Sequence, residues 1–242
     1  MKYNKLKYNI LGKNGDVVFF LHGYGGNAKS LLKLAESVKS NHKCYLFDLY
    51  GFGQTHFPKK ILDIYDYALG IYLFCVERGI RRLSIVSHSF GNRIALILSA
   101  VTDLQIDKLV IIDGAGLKPS YNLKYYLSVF KYKIHKSLHT NQNVNKDNKY
   151  GSDEYKTLSP DMQRSYVKVV NQHLDYLLEK VKSQTLLLWG KDDKDTPIKM
   201  CKKLNKNIKN SICKIYNGGH FMYVKKHSYV KNDLRKFLGD AI

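Results

Sequence analysis

The stretch best suited to chemistry is Ser87-His88-Ser89-Phe90-Gly91. The apolar run Leu83-Ser84-Ile85-Val86 leads into it, and residues 92–98 follow with helical length and an amphipathic pattern. Strand, sharp turn and helix place Ser89 at an apex, its hydroxyl standing above the sheet. The start of the helix faces any negative charge that develops there. A serine hydroxyl is a weak nucleophile at neutral pH and needs a base to take its proton. Of the nine histidines, His220 sits in Asn217-Gly218-Gly219-His220-Phe221, after the last strand-like run and before a closing helix. Acids stand at two strand ends: Asp113 after Leu109-Val110-Ile111-Ile112, and Asp192, Asp193 and Asp195 after Thr185-Leu186-Leu187-Leu188-Trp189. Cys44, Cys75, Cys201 and Cys213 are widely spaced with no C-x-x-C pair. They read as buried free thiols rather than a nucleophile or a metal site.

The elements that must position these groups alternate. Residues 2–10 offer one or two edge strands, and Val17-Val18-Phe19-Phe20-Leu21 is a short, wholly apolar run of the kind a central parallel strand requires. A helix with an apolar face follows over 31–38, then a strand at Cys44-Tyr45-Leu46-Phe47 and a helix over 63–79. Strand–helix alternation with buried strands predicts a parallel sheet covered on both faces. Ligands bind at the carboxyl ends of the strands in such sheets, where Ser89 lies. The alternation stops between Leu117 and Ser183. There Leu123, Tyr126, Leu127, Phe130, Ile134 and Leu138 fall at helical spacing, residues 141–150 are polar, and a second helical stretch runs from Asp161.

The Ser89 turn resembles the nucleophile elbow of the α/β-hydrolases, small-x-Ser-x-Gly, with Ser87 in place of the usual first glycine. Three further segments carry the same resemblance. His22-Gly23-Tyr24-Gly25-Gly26 is similar to the family's oxyanion loop. Asp48-Leu49-Tyr50-Gly51-Phe52-Gly53-Gln54-Thr55 is similar to its D-x-x-G-x-G-x-S segment, and Gly218-Gly219-His220-Phe221 to its histidine loop. The resemblance implies an α/β-hydrolase fold, with a core of 1–116 and 184–242 and a helical cap insertion over 117–183. It selects Asp193 through the family's G-x-x-D pattern with a proline four residues on, leaving Asp113 as the rival acid. Asp192 and Asp195 are then solvated loop acids, one of which could cap the helix starting near Pro197. The implied catalytic residues are Ser89, Asp193 and His220, in the family's chain order, with the Tyr24 and Phe90 amides as the oxyanion hole. His22 and Asp48 take supporting roles as buried hydrogen-bonding residues. The implied activity is hydrolysis of a carboxylic ester of a small or medium acyl group through an acyl-enzyme, with no metal or organic cofactor. Thioesterase, acyltransferase and C–C bond hydrolase chemistry use the same residues, and a receptor-like module with little turnover is a further alternative.

Composition bounds the remainder. The 242 residues suffice for one α/β core with little left for a second domain. At 44% hydrophobic and 25% charged residues the chain reads as an ordinary globular protein, not a disordered or membrane one. Residues 1–8 lack the apolar core of a signal peptide, and no stretch is long and apolar enough to span a membrane, so a cytoplasmic address is expected. The formal charge of +20 comes from lysines spread along the chain, without a compact basic motif interleaved with aromatics. No specific nucleic-acid partner is expected from it. The Gly51/Gly53 pair belongs to no G-x-G-x-x-G or Gly-Lys-Ser/Thr phosphate loop.

Overall fold

A computed structural model describes residues 5–119 and 158–240. Its sheet has seven strands: β1 (Lys7–Leu11), β2 (Asp16–Leu21), β3 (His42–Asp48), β4 (Arg82–His88), β5 (Gln105–Ile112), β6 (Gln184–Gly190) and β7 (Ser211–Tyr216). They lie in the order β1-β3-β2-β4-β5-β6-β7. Only β1 runs antiparallel, against β3, and the other pairs are parallel.

Period-two alternation within the central strands explains why both faces are covered. Phe19, Leu21, Ile85, Leu109, Ile111, Leu187 and Trp189 point into one buried layer, and Val18, Phe20, Val86, Val110, Ile112, Leu186 and Leu188 into the other. The first layer is closed by α2 (Ile64–Arg78), α3 (Gly91–Val101) and α5 (Ile198–Asn207). The second is closed by α1 (Leu32–Glu36) and α7 (His227–Leu238), with the short α6 (Met222–Lys225) between the last strand and α7. Helix boundaries follow local chemistry. Asp63 caps α2 through a reciprocal pair with Asp66, and Gly79 ends it in the left-handed conformation at φ 65°.

The helix expected over 31–38 is shorter than the apolar pattern implied. A 3₁₀ turn, Ala28–Leu31, is capped by Asn27 and gives way to the five-residue α1, because the chain must turn back in time to start β3 at His42. Neither Asp192 nor Asp195 caps α5: Pro197 occupies the N-cap position and no side chain bonds the helix start. Past β5 the described chain resumes with α4 (Pro160–Val170) and a 3₁₀ stretch, Asp175–Lys180. The helical spacing read at Leu123–Leu138 and the polar run 141–150 lie outside the described residues.

Candidate active site

Strand β4 ends at His88, and α3 opens three residues later at Gly91. That turn is possible only with a residue in the left-handed region between them, and Ser89 takes it at φ 48°. The turn is held from below, since the Ser89 amide donates to the Ile112 carbonyl at 3.0 Å, and the Ala115 amide donates to the Ser89 carbonyl at 3.0 Å. Gly91 is needed for close approach: a Cβ there would stand 2.2 Å from the Leu21 carbonyl oxygen. Ser87 fits where the resembling family has glycine. It is fully buried, and its hydroxyl donates to the Val110 carbonyl at 3.2 Å.

Three side chains from separate loops meet at this apex. His220 Nε2 lies 2.9 Å from Ser89 Oγ, and His220 Nδ1 lies 2.8 Å from Asp193 Oδ2. An ionised carboxylate can only accept, so Nδ1 carries the imidazole proton and Nε2 is left to accept from the serine hydroxyl. Asp193 is 5% exposed and well held. Its Oδ1 accepts from the Asp195 and Thr196 amides at 2.8 and 3.0 Å, and the Thr196 hydroxyl donates to Oδ2 at 2.6 Å. Burial disfavours its charge, but the hydrogen bonds from His220 and Thr196 outweigh that and hold the carboxyl below the usual range. Burial likewise works against protonation of His220. The Asp193 hydrogen bond and charge, with Asp195 nearby, carry its pKa above the ordinary imidazole value.

The rival acid occupies a different niche. Asp113 is fully buried in the left-handed conformation at φ 45°, and its Oδ1 accepts from the Gly190 amide at 2.7 Å. Burial pushes its carboxyl up to about 8, so it is mainly neutral at pH 7. Asp192 and Asp195 are exposed. Tyr24 and Phe90 line the same cleft as Ser89, and their rings meet edge-on at 5.3 Å. His22 sits beneath the loop that carries Tyr24, accepting from the Leu49 amide at Nε2 (3.1 Å) and donating from Nδ1 to the Gly23 carbonyl (2.7 Å). Burial lowers its pKa to about 4, which keeps it neutral. Asp48 accepts from the Ala28 and Gln54 amides at 2.7 and 2.9 Å and so ties two loops together.

Two residues at the site had no role in the sequence reading. His88, beside the apex serine, is buried against the His220, Phe221 and Tyr223 rings, and its Nε2 donates to the His220 carbonyl at 3.0 Å. Burial drives its pKa down to about 3, so it stays neutral beside the other imidazole. Arg93, in the first turn of α3, is buried and donates to the Val169 and Gln172 carbonyls at 3.0 and 2.6 Å. Burial pulls it down to about 10, which leaves the cation intact at neutral pH. It is aimed at the carbonyl end of α4, where a positive charge is favoured. Placement next to the Ser89 turn was the one signal in the sequence that could have singled out either residue.

The cleft over these groups has a volume of about 730 Å³ and is walled by Tyr24, Phe90, Tyr166, Val169, Phe221 and Tyr223 among others. That is room for a small or medium ligand. Among the described residues Asp193, Asp195 and His220 offer ligand atoms within 4.8 Å of one another, as a cation site would. Both Asp193 oxygens and both His220 nitrogens already hold the hydrogen bonds above, which account for the grouping.

The sequence matches the family model described as alpha/beta hydrolase fold over residues 16–136, half of its length. The chain belongs to that family. This α/β-hydrolase is 24% identical over 121 residues to an uncharacterized protein of Mycobacterium tuberculosis, a match covering 50% of this chain and 35% of that one. It thus spans about a third of the length of the mycobacterial relatives it matches. It is 25% identical over 247 residues to a Mycoplasma pneumoniae protein named "Putative esterase/lipase 2", covering 92% of this chain and 87% of the relative. Among solved structures, an alpha/beta hydrolase enzyme from a Medee basin deep-sea metagenome library superimposes with a TM-score of 0.78 at 18% identity, covering 100% of this chain and 97% of the other. Among the described residues no helix of this α/β-hydrolase is long and apolar enough to cross a membrane.

Proposed function

We propose that this α/β-hydrolase is a serine hydrolase cleaving carboxylic esters of small or medium acyl groups, a carboxylesterase-like activity. The observation that carries the reading is the hydrogen-bonded chain Ser89–His220–Asp193, at 2.9 and 2.8 Å. His220 Nε2 takes the hydroxyl proton as Ser89 Oγ attacks the ester carbonyl, and Asp193 fixes the tautomer and stabilises the imidazolium. The Tyr24 and Phe90 amides receive the oxyanion. His220 then protonates the leaving alcohol, and the same imidazole activates the water that releases the acid. No step calls on a metal or organic cofactor. The aromatic wall of the cleft suits an apolar acyl or aryl group, and the name carried by the Mycoplasma relative points the same way. Residues 117–183 form, in this proposal, a cap over a core of 1–116 and 184–242. The cytoplasmic address read from the sequence belongs to the proposal as well.

Labelling with a fluorophosphonate probe, followed by intact mass and peptide mapping, tests it. One adduct on Ser89, absent from Ser89→Ala, is the expected result and leads to p-nitrophenyl esters from acetyl to decanoyl. A folded protein that takes no adduct would overturn it in favour of a receptor-like module with little turnover.

A further inference from the structure

The four cysteines are far apart in the sequence, yet the fold brings two of them together. Cys201, in the second turn of α5, is fully buried, and its Sγ lies 2.7 Å from Sγ of Cys213 in the middle of β7. Two unbonded sulfurs do not normally rest so close, and a disulfide bond would shorten the separation by only about 0.7 Å. The helix α5 packs against β7, so the two residues stand on neighbouring regular elements. Among the described residues strand β7 lies at the edge of the sheet, with β6 as its one partner. Cys213 is partly exposed there and is the more accessible residue of the pair. Cys44 on β3 and Cys75 on α2 are buried elsewhere, each without a second thiol in hydrogen-bond reach among the described residues.

We propose that Cys201 and Cys213 form a reversible disulfide that staples α5 to the edge strand β7, a redox-sensitive site separate from the Ser89 chemistry. Cys213 is the more exposed of the two and its hydrogen bond with Cys201 lowers the pKa of its thiol, so Cys213 is the attacking sulfur. With hydrogen peroxide as oxidant, the Cys213 thiolate displaces hydroxide from the peroxide and becomes a sulfenic acid, the hydroxide leaving as water once protonated. The Cys201 sulfur then attacks the sulfenic sulfur, forming the S–S bond and releasing a second water. Two thiols lose two electrons and two protons, the peroxide gains both, and a dithiol reductant reverses the change. The staple joins the helix after the Asp193 loop to the strand before the His220 loop.

The test uses the intact, purified protein. It is treated with hydrogen peroxide, unfolded in iodoacetamide, and analysed by intact mass and by peptide mapping without reduction. The expected result is two alkylated cysteines instead of four and a cross-linked peptide pair joining Cys201 to Cys213. Dithiothreitol restores four alkylation sites, and Cys201→Ser yields no intramolecular link. Four free thiols after a dose that fully oxidises reduced dithiothreitol in a parallel tube would overturn the proposal. So would a Cys213 that is oxidised or modified on its own, or a link that forms only between molecules. The wild-type map decides between these outcomes by itself, whether or not the Cys201→Ser protein folds.

Discussion

At Ser89 a single hydroxyl carries the proposed chemistry, so its removal is the most direct residue-scale test. Ser89→Ala should lower esterase turnover by roughly 10³- to 10⁶-fold with an unchanged circular dichroism spectrum. The pH dependence follows from His220, which must be unprotonated to act as base. Its pKa lies above the ordinary imidazole value of 6.5, so acylation should rise through a midpoint above that value and then level off. In Asp193→Asn that midpoint should fall, and most activity should go with it; Asp113→Asn should keep both, as measured by p-nitrophenyl ester kinetics. Asp113 instead has a stability signature. Its folded-state carboxyl stays protonated up to about 8 while the unfolded one ionises near 3.8. The folded state therefore binds the extra proton between those values, and stability contributed by this group falls as pH rises across that window. Urea melts between pH 4 and 8 should show a smaller decline in Asp113→Asn, whose side-chain oxygen can still accept from the Gly190 amide. The sequence alone left the choice among four acids to a family resemblance. What separates them physically is reach and solvation: Asp193 Oδ2 meets His220, Asp113 is locked below Gly190, and Asp192 and Asp195 face water.

Among the elements, the strands were legible because a strand buried on both faces must be apolar throughout. The runs at Val17–Leu21, Leu83–Val86, Leu109–Ile112 and Thr185–Trp189 all fall inside observed strands. Less legible was α1, where an apolar face extends past the point at which the chain has to turn. Invisible to periodicity were contacts that depend on three-dimensional approach, such as α3 against β2 and the guanidinium of Arg93 against the end of α4. Both give measurable consequences. Gly91→Ala forces a methyl to within 2.2 Å of the Leu21 carbonyl, so helix and strand must part. It should cost several kcal/mol, at least about 3 by the scale of severe core changes, and yield little folded protein. Arg93→Met removes the guanidinium donor from the Val169 and Gln172 carbonyls, of which Val169 keeps the Gln172 amide, a loss of about 1–3 kcal/mol read from denaturant midpoints. Because α4 contributes Tyr166, Val169 and Val170 to the cleft wall, KM should rise more than kcat falls.

For the whole molecule, the +20 charge comes from lysines spread along the sequence without one compact basic motif. Binding to heparin should accordingly vanish at modest salt and show no preference among nucleic-acid sequences in competition. The same field should raise kcat/KM for anionic esters over neutral ones of equal size at low ionic strength, with the difference collapsing as salt is added. A further consequence lies in where the three meeting side chains sit along the chain. His220 is 131 positions from Ser89 and 27 from Asp193, and β5 and β6 must be in place between β4 and β7 before they can touch. Contacts of such long range are completed late in folding, since the intervening loops have to close first. A ribosome-bound chain that has just exposed its serine therefore carries an unarmed hydroxyl. In refolding experiments, reactivity toward a fluorophosphonate should return only with the last kinetic phase, so that the proposed activity is tied to completion of the fold.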